Sequence, residues 1–321
     1  MTKSSGLLAI VFILLFILLG GGGYWFLLNQ NKLQNTNNKI VNNPTGKLSL
    51  LEEANQIVSN LDISLPNPNV LAIDGSVTMV KLIKILENAY EQKYPSIPVT
   101  YGVPEGMPNG SNQGIKNLLT NQVQIAAISR PLQPEEALEN IKLIPIAKDA
   151  LVIVVGINNP YKGGLTLDQL KDIYQGKITN WLEVGGDNLP IKVINRSSKS
   201  GSYNFFQDFV LLGESFAPNS ANFITYKRDV TTPILRELKT NGISYTTIAQ
   251  AKNQTTVRIV PINGISPVNR ATINNYNYPL TRHIFLAVPN KTSLAVKKFL
   301  EFAVSNQGQN FVQQVDFVPL K

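Results

Sequence analysis

Apolar segments with strand-like and helix-like spacing alternate along most of the chain, from Val70 to Val304. Val70–Ile73 is an apolar run that ends at Asp74-Gly75, and apolar residues then recur at helical spacing between Met79 and Tyr90. Further strands are predicted at 97–101, 124–128, 191–194, 257–262 and 284–288. Such alternation favours mostly parallel sheets covered by helices on both faces. Because 321 residues suffice for about two domains, the sequence predicts two α/β lobes.

The composition excludes several kinds of chemistry. The chain has no cysteine and one histidine, so it can form no disulfide, no cysteine zinc site and no multi-histidine metal site. His283 lies in an apolar stretch with strand character, which favours a structural role. The net charge is +8, yet no basic cluster is interleaved with aromatic residues, which argues against nucleic acid as a partner.

The N-terminal region carries the signals of membrane targeting. Residues 6–28 contain no charged side chain, and 23 residues of helix would span about 34 Å, enough for a bilayer core of about 30 Å. Residues 1–28 are therefore predicted to be a transmembrane anchor, with a cleaved signal peptide as the alternative. Both interpretations place the body outside the cytoplasm, in the periplasm or at the cell surface. The Asn-rich residues 29–68 are predicted to be a flexible linker, with a short helix within 48–61.

Hydroxyl-rich loops precede three predicted helices. They are Asp74-Gly75-Ser76-Val77-Thr78-Met79, then Asn109-Gly110-Ser111-Asn112-Gln113-Gly114, and Arg196-Ser197-Ser198-Lys199-Ser200-Gly201-Ser202. The first N–H groups of a helix lack intrahelical partners, so these junctions could bind an anion. Ser, Thr and Asn also cap helices without any ligand, and one helix end contributes only about 0.3–1 kcal/mol. Strong binding therefore requires that several of these loops converge.

Two arginines follow predicted strands next to these loops. Ser129-Arg130 follows Ala126-Ala127-Ile128, and Arg196 follows a strand that ends near Ile194. Open α/β sheets bind their ligands at this edge, although an arginine there can also serve in a surface ion pair.

Enzymatic signatures are absent from the sequence. There is no Gly-x-x-x-x-Gly-Lys-Ser/Thr and no Gly-x-Gly-x-x-Gly after a strand, and no paired carboxylates follow the strands. The sequence therefore predicts a binding protein with no catalytic residue, no metal and no cofactor.

The ordered set of motifs resembles the phosphate-binding proteins of bacterial phosphate-specific ABC importers, within the type II periplasmic binding protein superfamily. The resemblance covers residues 69–320. Besides the three loops, it includes Ala127-Ile-Ser-Arg-Pro-Leu132, Ile173-Tyr-Gln-Gly-Lys-Ile-Thr-Asn-Trp181, Gly242-Ile-Ser-Tyr245 and Tyr278-Pro-Leu-Thr-Arg282. The tract Gly176-Lys-Ile-Thr-Asn-Trp181 followed by Glu183-Val-Gly-Gly186 is the most specific of them.

The resemblance implies a fold of two α/β lobes joined by two hinge strands. One lobe would comprise residues 69–153 plus 280–321 and the other 154–279. It further implies that the protein captures inorganic phosphate between the lobes and delivers it to the permease of an ABC importer. A monomer is expected, because nothing in the sequence demands a dimer. The expected phosphate-binding residues are Ser76, Thr78, Met79, Ser111, Ser129, Arg130, Arg196, Ser200, Gly201 and Ser202.

The chain departs from the family pattern at two positions, and these leave the ligand open. Arg130 stands where relatives often carry an aspartate that accepts a hydrogen bond from protonated phosphate, and Ser198 replaces another acidic residue. Arginine only donates hydrogen bonds, so another tetrahedral oxyanion is an alternative ligand. A membrane-anchored phosphate sensor that signals through a partner is the alternative function.

Overall fold

The computed structural model describes residues 48–252 and 254–320. The predicted anchor at 6–28 and the linker residues 29–47 lie outside this part of the chain. Within the part described, no helix combines the length and the apolar character that a membrane span requires.

The first part of the main sheet is formed by parallel strands that end in the hydroxyl-rich loops. Strand β2 (Leu71–Gly75) lies between β3 (Val99–Tyr101) and β4 (Ile125–Ile128), and both neighbours are parallel to it. Along β4, Ile125 and Ala127 face one apolar cluster while Ala126 and Ile128 face another. Helices α2 (Val80–Lys93) and α3 (Ser111–Leu119) follow β2 and β3 in the chain. The sheet is therefore covered on both faces, as the sequence predicts.

Two long antiparallel strands connect the two parts of the sheet. Strand β5 (Ile141–Gly156) pairs with β10 (Thr281–Pro289) over its first ten residues. Buried apolar side chains form two main clusters, a first core around β2 and β3 and a second core around β6 (Lys192–Asn195) and β8 (Gly242–Thr247). In β5 the buried side chains up to Ala147 belong to the first core, whereas Ala150 and the following residues belong to the second. The same change occurs in the chain around β10, between Leu280 and Ile284.

The second part of the sheet surrounds the last residues of β5. Strands β6 (Lys192–Asn195) and β7 (Phe223–Thr225) are parallel, and β6 pairs with β8 (Gly242–Thr247). Strands β8 and β9 (Val257–Val260) are antiparallel to β5. The helices of this part are α4 (Leu167–Tyr174), α5 (Gly201–Phe209), α6 (Thr232–Glu237), α7 (Ile248–Ala251) and α8 (Arg270–Asn274).

Residues before the main sheet pack against the C-terminal helices. Helix α1 (Leu50–Ser59) begins with a complete capping box and buries Ala54 and Val58 in the first core. Strand β1 (Asp62–Leu65) is parallel to β11 (Lys291–Ser293), which precedes α9 (Leu294–Val304) and α10 (Asn306–Gln314). The sequence predicts the helix within 48–61 but not the strand that follows it, because β1 is short and mostly exposed.

His283 has a structural environment on β10. Its Nε2 lies 2.7 Å from the Tyr276 hydroxyl, and the ammonium group of Lys148 lies over the Tyr276 ring. Burial, together with the charge of Lys148, lowers the pKa of His283 from 6.5 to about 4.

We expect His283 to make the fold less stable in mild acid. The unfolded chain binds a proton at His283 below pH 6.5, whereas the folded protein does so only near pH 4. Stability is therefore lost as the pH falls through this interval, by about 1–3 kcal/mol. Urea unfolding of the wild type and of His283→Gln from pH 7 to 4 measures the effect. The wild type should lose stability more steeply, and parallel curves would contradict this expectation.

Candidate functional site

The loop after β2 brings Ser76, Thr78 and Met79 to the edge of the sheet. The Ser76 hydroxyl accepts a hydrogen bond from the Thr78 amide at 3.3 Å, so it caps a short 3-10 helix of one turn at Val77–Met79. The Met79 amide donates to the Ser76 carbonyl at 3.0 Å and is therefore already used by this turn. Thr78 is 7% exposed and its side chain lines a cleft.

Three serine hydroxyls from separate loops meet beside this turn. Ser76 Oγ donates to Ser129 Oγ at 3.0 Å, and Ser129 Oγ lies 3.4 Å from Ser111 Oγ. The Ser129 amide also donates to Ser111 Oγ, at 3.2 Å. All three side chains are at most 2% exposed. The structure thus brings together groups that lie up to 53 residues apart in the sequence.

The buried carboxylate of Asp74 positions the second loop. It accepts hydrogen bonds from the Asn109 amide at 3.0 Å, from Asn109 Nδ2 at 3.1 Å and from Asn117 Nδ2 at 2.7 Å. These bonds fix the loop before α3 and one turn of α3 itself. Because Gly110 at the N-cap has no side chain, the first N–H groups of α3 receive no side-chain cap.

The N-terminus of α5, a helix that packs in the second core, lies against the serine hydroxyls. Gly201 packs so tightly that a Cβ atom built on it would lie 2.3 Å from Ser111 Oγ and 2.6 Å from Ser129 Oγ. Ser200 caps the helix by accepting from the Ser202 amide at 3.3 Å. The Ser202 hydroxyl is buried and has no hydrogen-bond partner among the described residues. An orphaned donor at this position suits a ligand that accepts hydrogen bonds.

Arg196 lies next to the N-terminus of α5 and is 1% exposed. Its Nε donates to Ser200 Oγ at 3.1 Å, and its Nη2 donates to the Asp229 carboxylate at 2.7 Å. Two longer contacts, of 3.3 and 3.4 Å, join the guanidinium to the Thr231 hydroxyl. The ion pair with Asp229 neutralises the charge of Arg196. The contacts with Thr231 are longer than typical hydrogen bonds, so another acceptor could replace the Thr231 hydroxyl at little cost.

The guanidinium of Arg130 bonds mainly to residues near it in the chain. Its Nε donates to Asn112 Oδ1 at 2.8 Å, and its terminal nitrogens form a bidentate pair with Glu136 at 2.7 Å. Nη1 also donates to the Pro131 carbonyl. Asn112 in turn donates to the Ser198 carbonyl at 2.9 Å, so Arg130 supports a contact between the loop before α3 and the loop before α5.

Arg282 is a third buried arginine at the site, and no role was expected for it beyond its place in the Tyr278–Arg282 motif. Its Nε and Nη2 donate to Asp149 Oδ2 at 3.0 and 2.8 Å. Its Nη1 donates to the Ser129 carbonyl at 3.0 Å. Asp149 and Arg282 are direct partners in the register of β5 and β10. Two signals were visible in the sequence: the motif itself and a charged residue in an otherwise apolar strand.

A cleft of about 610 Å³ opens beside these groups. Thr78, Asp229 and Thr231 line it, so it borders the partners of Arg196. Three exposed cations, those of Lys81, Lys199 and Arg228, also line the cleft, and none of them forms an ion pair within the described part of the chain. No group of three His, Asp or Glu residues is arranged to hold a metal ion among residues 48–252 and 254–320.

The predicted site residues therefore form one neighbourhood, while their carboxylate partners were not predicted. Ser129 contacts the hydroxyls of both Ser76 and Ser111, and Gly201 packs against Ser111 and Ser129. Arg196 bonds to Ser200, which precedes Gly201. The acids Glu136, Asp149 and Asp229 are separated in sequence from the arginines that they neutralise by 6, 133 and 33 residues. No local sequence pattern marks such pairs.

Comparison with known proteins shows the family of this fold. The family described as "PBP superfamily domain" matches residues 63–307, and the chain belongs to this superfamily. The α/β periplasmic binding protein fold is therefore confirmed, and so is the prediction of a binding protein rather than an enzyme.

Relatives and solved structures cover more than three quarters of the chain. The phosphate-binding protein PstS of Borreliella burgdorferi is 29% identical over 266 residues, which are 79% of this chain and 91% of the relative. A crystal structure of a protein described as a phosphate ABC transporter substrate-binding protein, from Clostridium perfringens with bound phosphate, is also 29% identical, with a TM-score of 0.69. The match covers 79% of this chain and all of that protein. An ABC-type phosphate transport receptor from Vibrio cholerae is 25% identical, with a TM-score of 0.65 and coverage of 77% and 99%.

We expect Gly201→Ala to weaken ligand binding without unfolding the protein. The new methyl group would collide with the hydroxyls of Ser111 and Ser129, so the start of α5 would have to move away from both. Calorimetric titration with phosphate should show at least about a tenfold loss of affinity, which corresponds to about 1.4 kcal/mol. Thermal unfolding of the ligand-free variant is the control. Wild-type affinity would show that the close contact is not required.

Proposed function

We propose that this protein is an extracytoplasmic substrate-binding protein that captures inorganic phosphate between two lobes. The observation that carries the proposal is the convergence of Ser76, Ser111 and Ser129 with the N-terminus of α5 beside Arg196. Hydroxyl and amide donors, a helix N-terminus and a fixed guanidinium are the groups that bind an oxyanion. The phosphate-binding relatives support the same ligand.

The contacts within the site favour Arg196 as the direct partner of the anion. The 3.3–3.4 Å contacts between Arg196 and Thr231 can be exchanged for ligand oxygens while the 2.7 Å bond to Asp229 is kept. The bonds from Arg130 to Glu136 and Asn112 are all 2.7–2.8 Å, which favours a supporting role for that residue. Thr78, Ser200, Gly201 and Ser202 supply the remaining donors.

The two cores act as the lobes in this proposal. The expected lobes are residues 69–153 with 280–321 and residues 154–279, and in the proposal the boundaries lie a few residues away, between Ala147 and Ala150 and between Leu280 and Ile284, where the β5–β10 pair passes from one core to the other. Closure around phosphate creates the surface that an importer permease recognises, and a monomer is sufficient for this role. Residues 6–28 export the body, either as an anchor or as a cleaved signal.

Replacement of the Arg196–Asp229 pair tests the proposed ligand. Loss of Arg196 alone would leave Asp229 buried without a partner, so the double variant Arg196→Gln, Asp229→Asn is used. Each charge-assisted hydrogen bond to phosphate contributes about 1.5–3 kcal/mol, so affinity should fall roughly 10- to 100-fold. Calorimetric titration with phosphate and with sulfate measures it.

The matched control is Lys171→Gln, Glu214→Gln, which removes an ion pair of 2.6 Å on the surface of the second core. This variant should bind phosphate like the wild type. Failure of the wild type to bind phosphate at millimolar concentration would refute the proposed function. Equal affinity in the Arg196–Asp229 double variant would instead refute the assignment of Arg196.

The cations around the cleft should accelerate the capture of phosphate. Lys81, Lys199 and Arg228 give the entrance a positive potential, which raises the local concentration of anions. Replacement of all three by glutamine should slow association several-fold at low ionic strength. In stopped-flow measurements, the association rate of the triple variant should approach that of the wild type as the salt concentration rises.

The control for this experiment has the same change of net charge elsewhere. Lys116, Lys239 and Lys291 are exposed and do not line the cleft. Their glutamine variant should associate at the wild-type rate. Equal slowing in both triple variants would mean that net charge, and not the cleft, governs the rate.

A further inference from the structure

The ion pair between Asp149 and Arg282 lies where the connecting strands pass from one core to the other. In β5 the two cores meet between Ala147 and Ala150, and Asp149 falls in that interval. Arg282 is its register partner on β10, again between side chains of different cores. Both side chains are at most 1% exposed. A buried charge pair stabilises a fold poorly compared with apolar packing, so its presence at this point calls for another reason.

One edge of the Arg282 guanidinium bonds to Ser129, which together with Ser76 and Ser111 forms the serine wall of the site. Nη1 donates to the Ser129 carbonyl at 3.0 Å, while Nε and Nη2 are held by Asp149. Ser129 in turn contacts the hydroxyls of both Ser76 and Ser111. Arg282 therefore helps to fix the position of Ser129 directly and of Ser76 and Ser111 through Ser129.

The same guanidinium also lies over an aromatic ring of α5, on the other side of the site. Its central carbon lies 5.4 Å from the centre of the Phe205 ring, a cation–π distance. Phe205 is on α5, one turn after Gly201, so the two residues share a face of the helix. Arg282 is also close enough to Arg196 and Asp229 for their charges to affect its pKa, which burial lowers.

We propose that Arg282 is a positioning residue of the anion site, which sets the serine wall against the start of α5 with a single guanidinium. Asp149 neutralises the guanidinium and fixes its plane. The contact with Phe205 forms when the two cores close, so it favours the closed arrangement in which Gly201 meets Ser111 and Ser129. The part of this proposal that concerns phosphate affinity rests on the proposed function, whereas the part that concerns closure does not.

Two conservative variants test the role while leaving the buried acid neutralised. Arg282→Lys keeps the positive charge next to Asp149 but loses the planar group that reaches Ser129 and Phe205. Phe205→Leu keeps an apolar side chain in the second core but removes the aromatic face. The control is Phe209→Leu, because Phe209 is on the same helix and stacks on Phe205 but is 42% exposed.

Two measurements are made on each variant. Calorimetric titration with inorganic phosphate should show roughly a tenfold loss of affinity for Arg282→Lys and for Phe205→Leu, and none for Phe209→Leu. Because the chain has no cysteine, spin labels can be placed at Lys116→Cys and Asp187→Cys in each variant. The distance distribution should shift toward the open arrangement in the first two variants only, with and without phosphate.

The outcomes separate this inference from the proposed function. Wild-type distance distributions in both variants would overturn the positioning role, whatever the affinity for phosphate. If the distributions shift in both variants but the wild type binds no phosphate, the positioning role is supported and the proposed ligand is refuted. A double variant of Arg282 and Phe205 that loses no more affinity than either single variant would show that the two residues act through their mutual contact. Strictly additive losses would contradict that coupling.

Discussion

The arrangement of the site depends on how three buried arginines are neutralised. Arg130, Arg196 and Arg282 each pair with one carboxylate, at distances of 2.7, 2.7 and 2.8 Å. Transfer of an unpaired guanidinium into a protein interior costs several kcal/mol. The carboxylates therefore determine where each guanidinium can lie and which of its donors remain for other partners. The loops that carry the serines are built around these fixed positions.

In the proposed function, a site neutralised in this way attracts an anion through oriented dipoles more than through net charge. The three arginines and the acids Glu136, Asp149 and Asp229 sum to zero charge. The donors that remain are hydroxyls, the amides at two helix starts and the exchangeable nitrogens of Arg196. Net positive charge is instead found at the cleft, on Lys81, Lys199 and Arg228. Long-range attraction and short-range recognition are thus assigned to different residues.

Local patterns were sufficient to predict the parallel strands β2, β3, β4 and β6 and the loops that carry the serines, but not β7 or β8, which both pair in parallel with β6. Ser76, Ser111 and Arg196 were recognised because each follows a short apolar run and precedes helical spacing. The first half of β5 was not recognised, since Pro145, Lys148 and Asp149 interrupt its apolar pattern. Pairing with β10 over many residues overrides that local signal.

The sequence could not predict which way each arginine points. Arg130 and Arg196 both follow strands and looked equivalent, yet Glu136 binds two nitrogens of the first whereas Asp229 binds one nitrogen of the second. The difference arises from tertiary contacts and has no local signature.

In the proposed function, ligand affinity and closure are coupled by the way the two walls meet. One wall consists of serines from the first core, and the other begins at Gly201, where an added Cβ atom would collide with two of those serines. Neither wall alone presents enough donors to hold an oxyanion, because each helix start contributes only about 0.3–1 kcal/mol. In the proposed function the binding-competent state is therefore the closed state, and a population of open molecules would reduce the observed affinity by the fraction that is open. A residue that favours closure raises affinity without touching the ligand, which is how a guanidinium at the junction of the cores can act on phosphate.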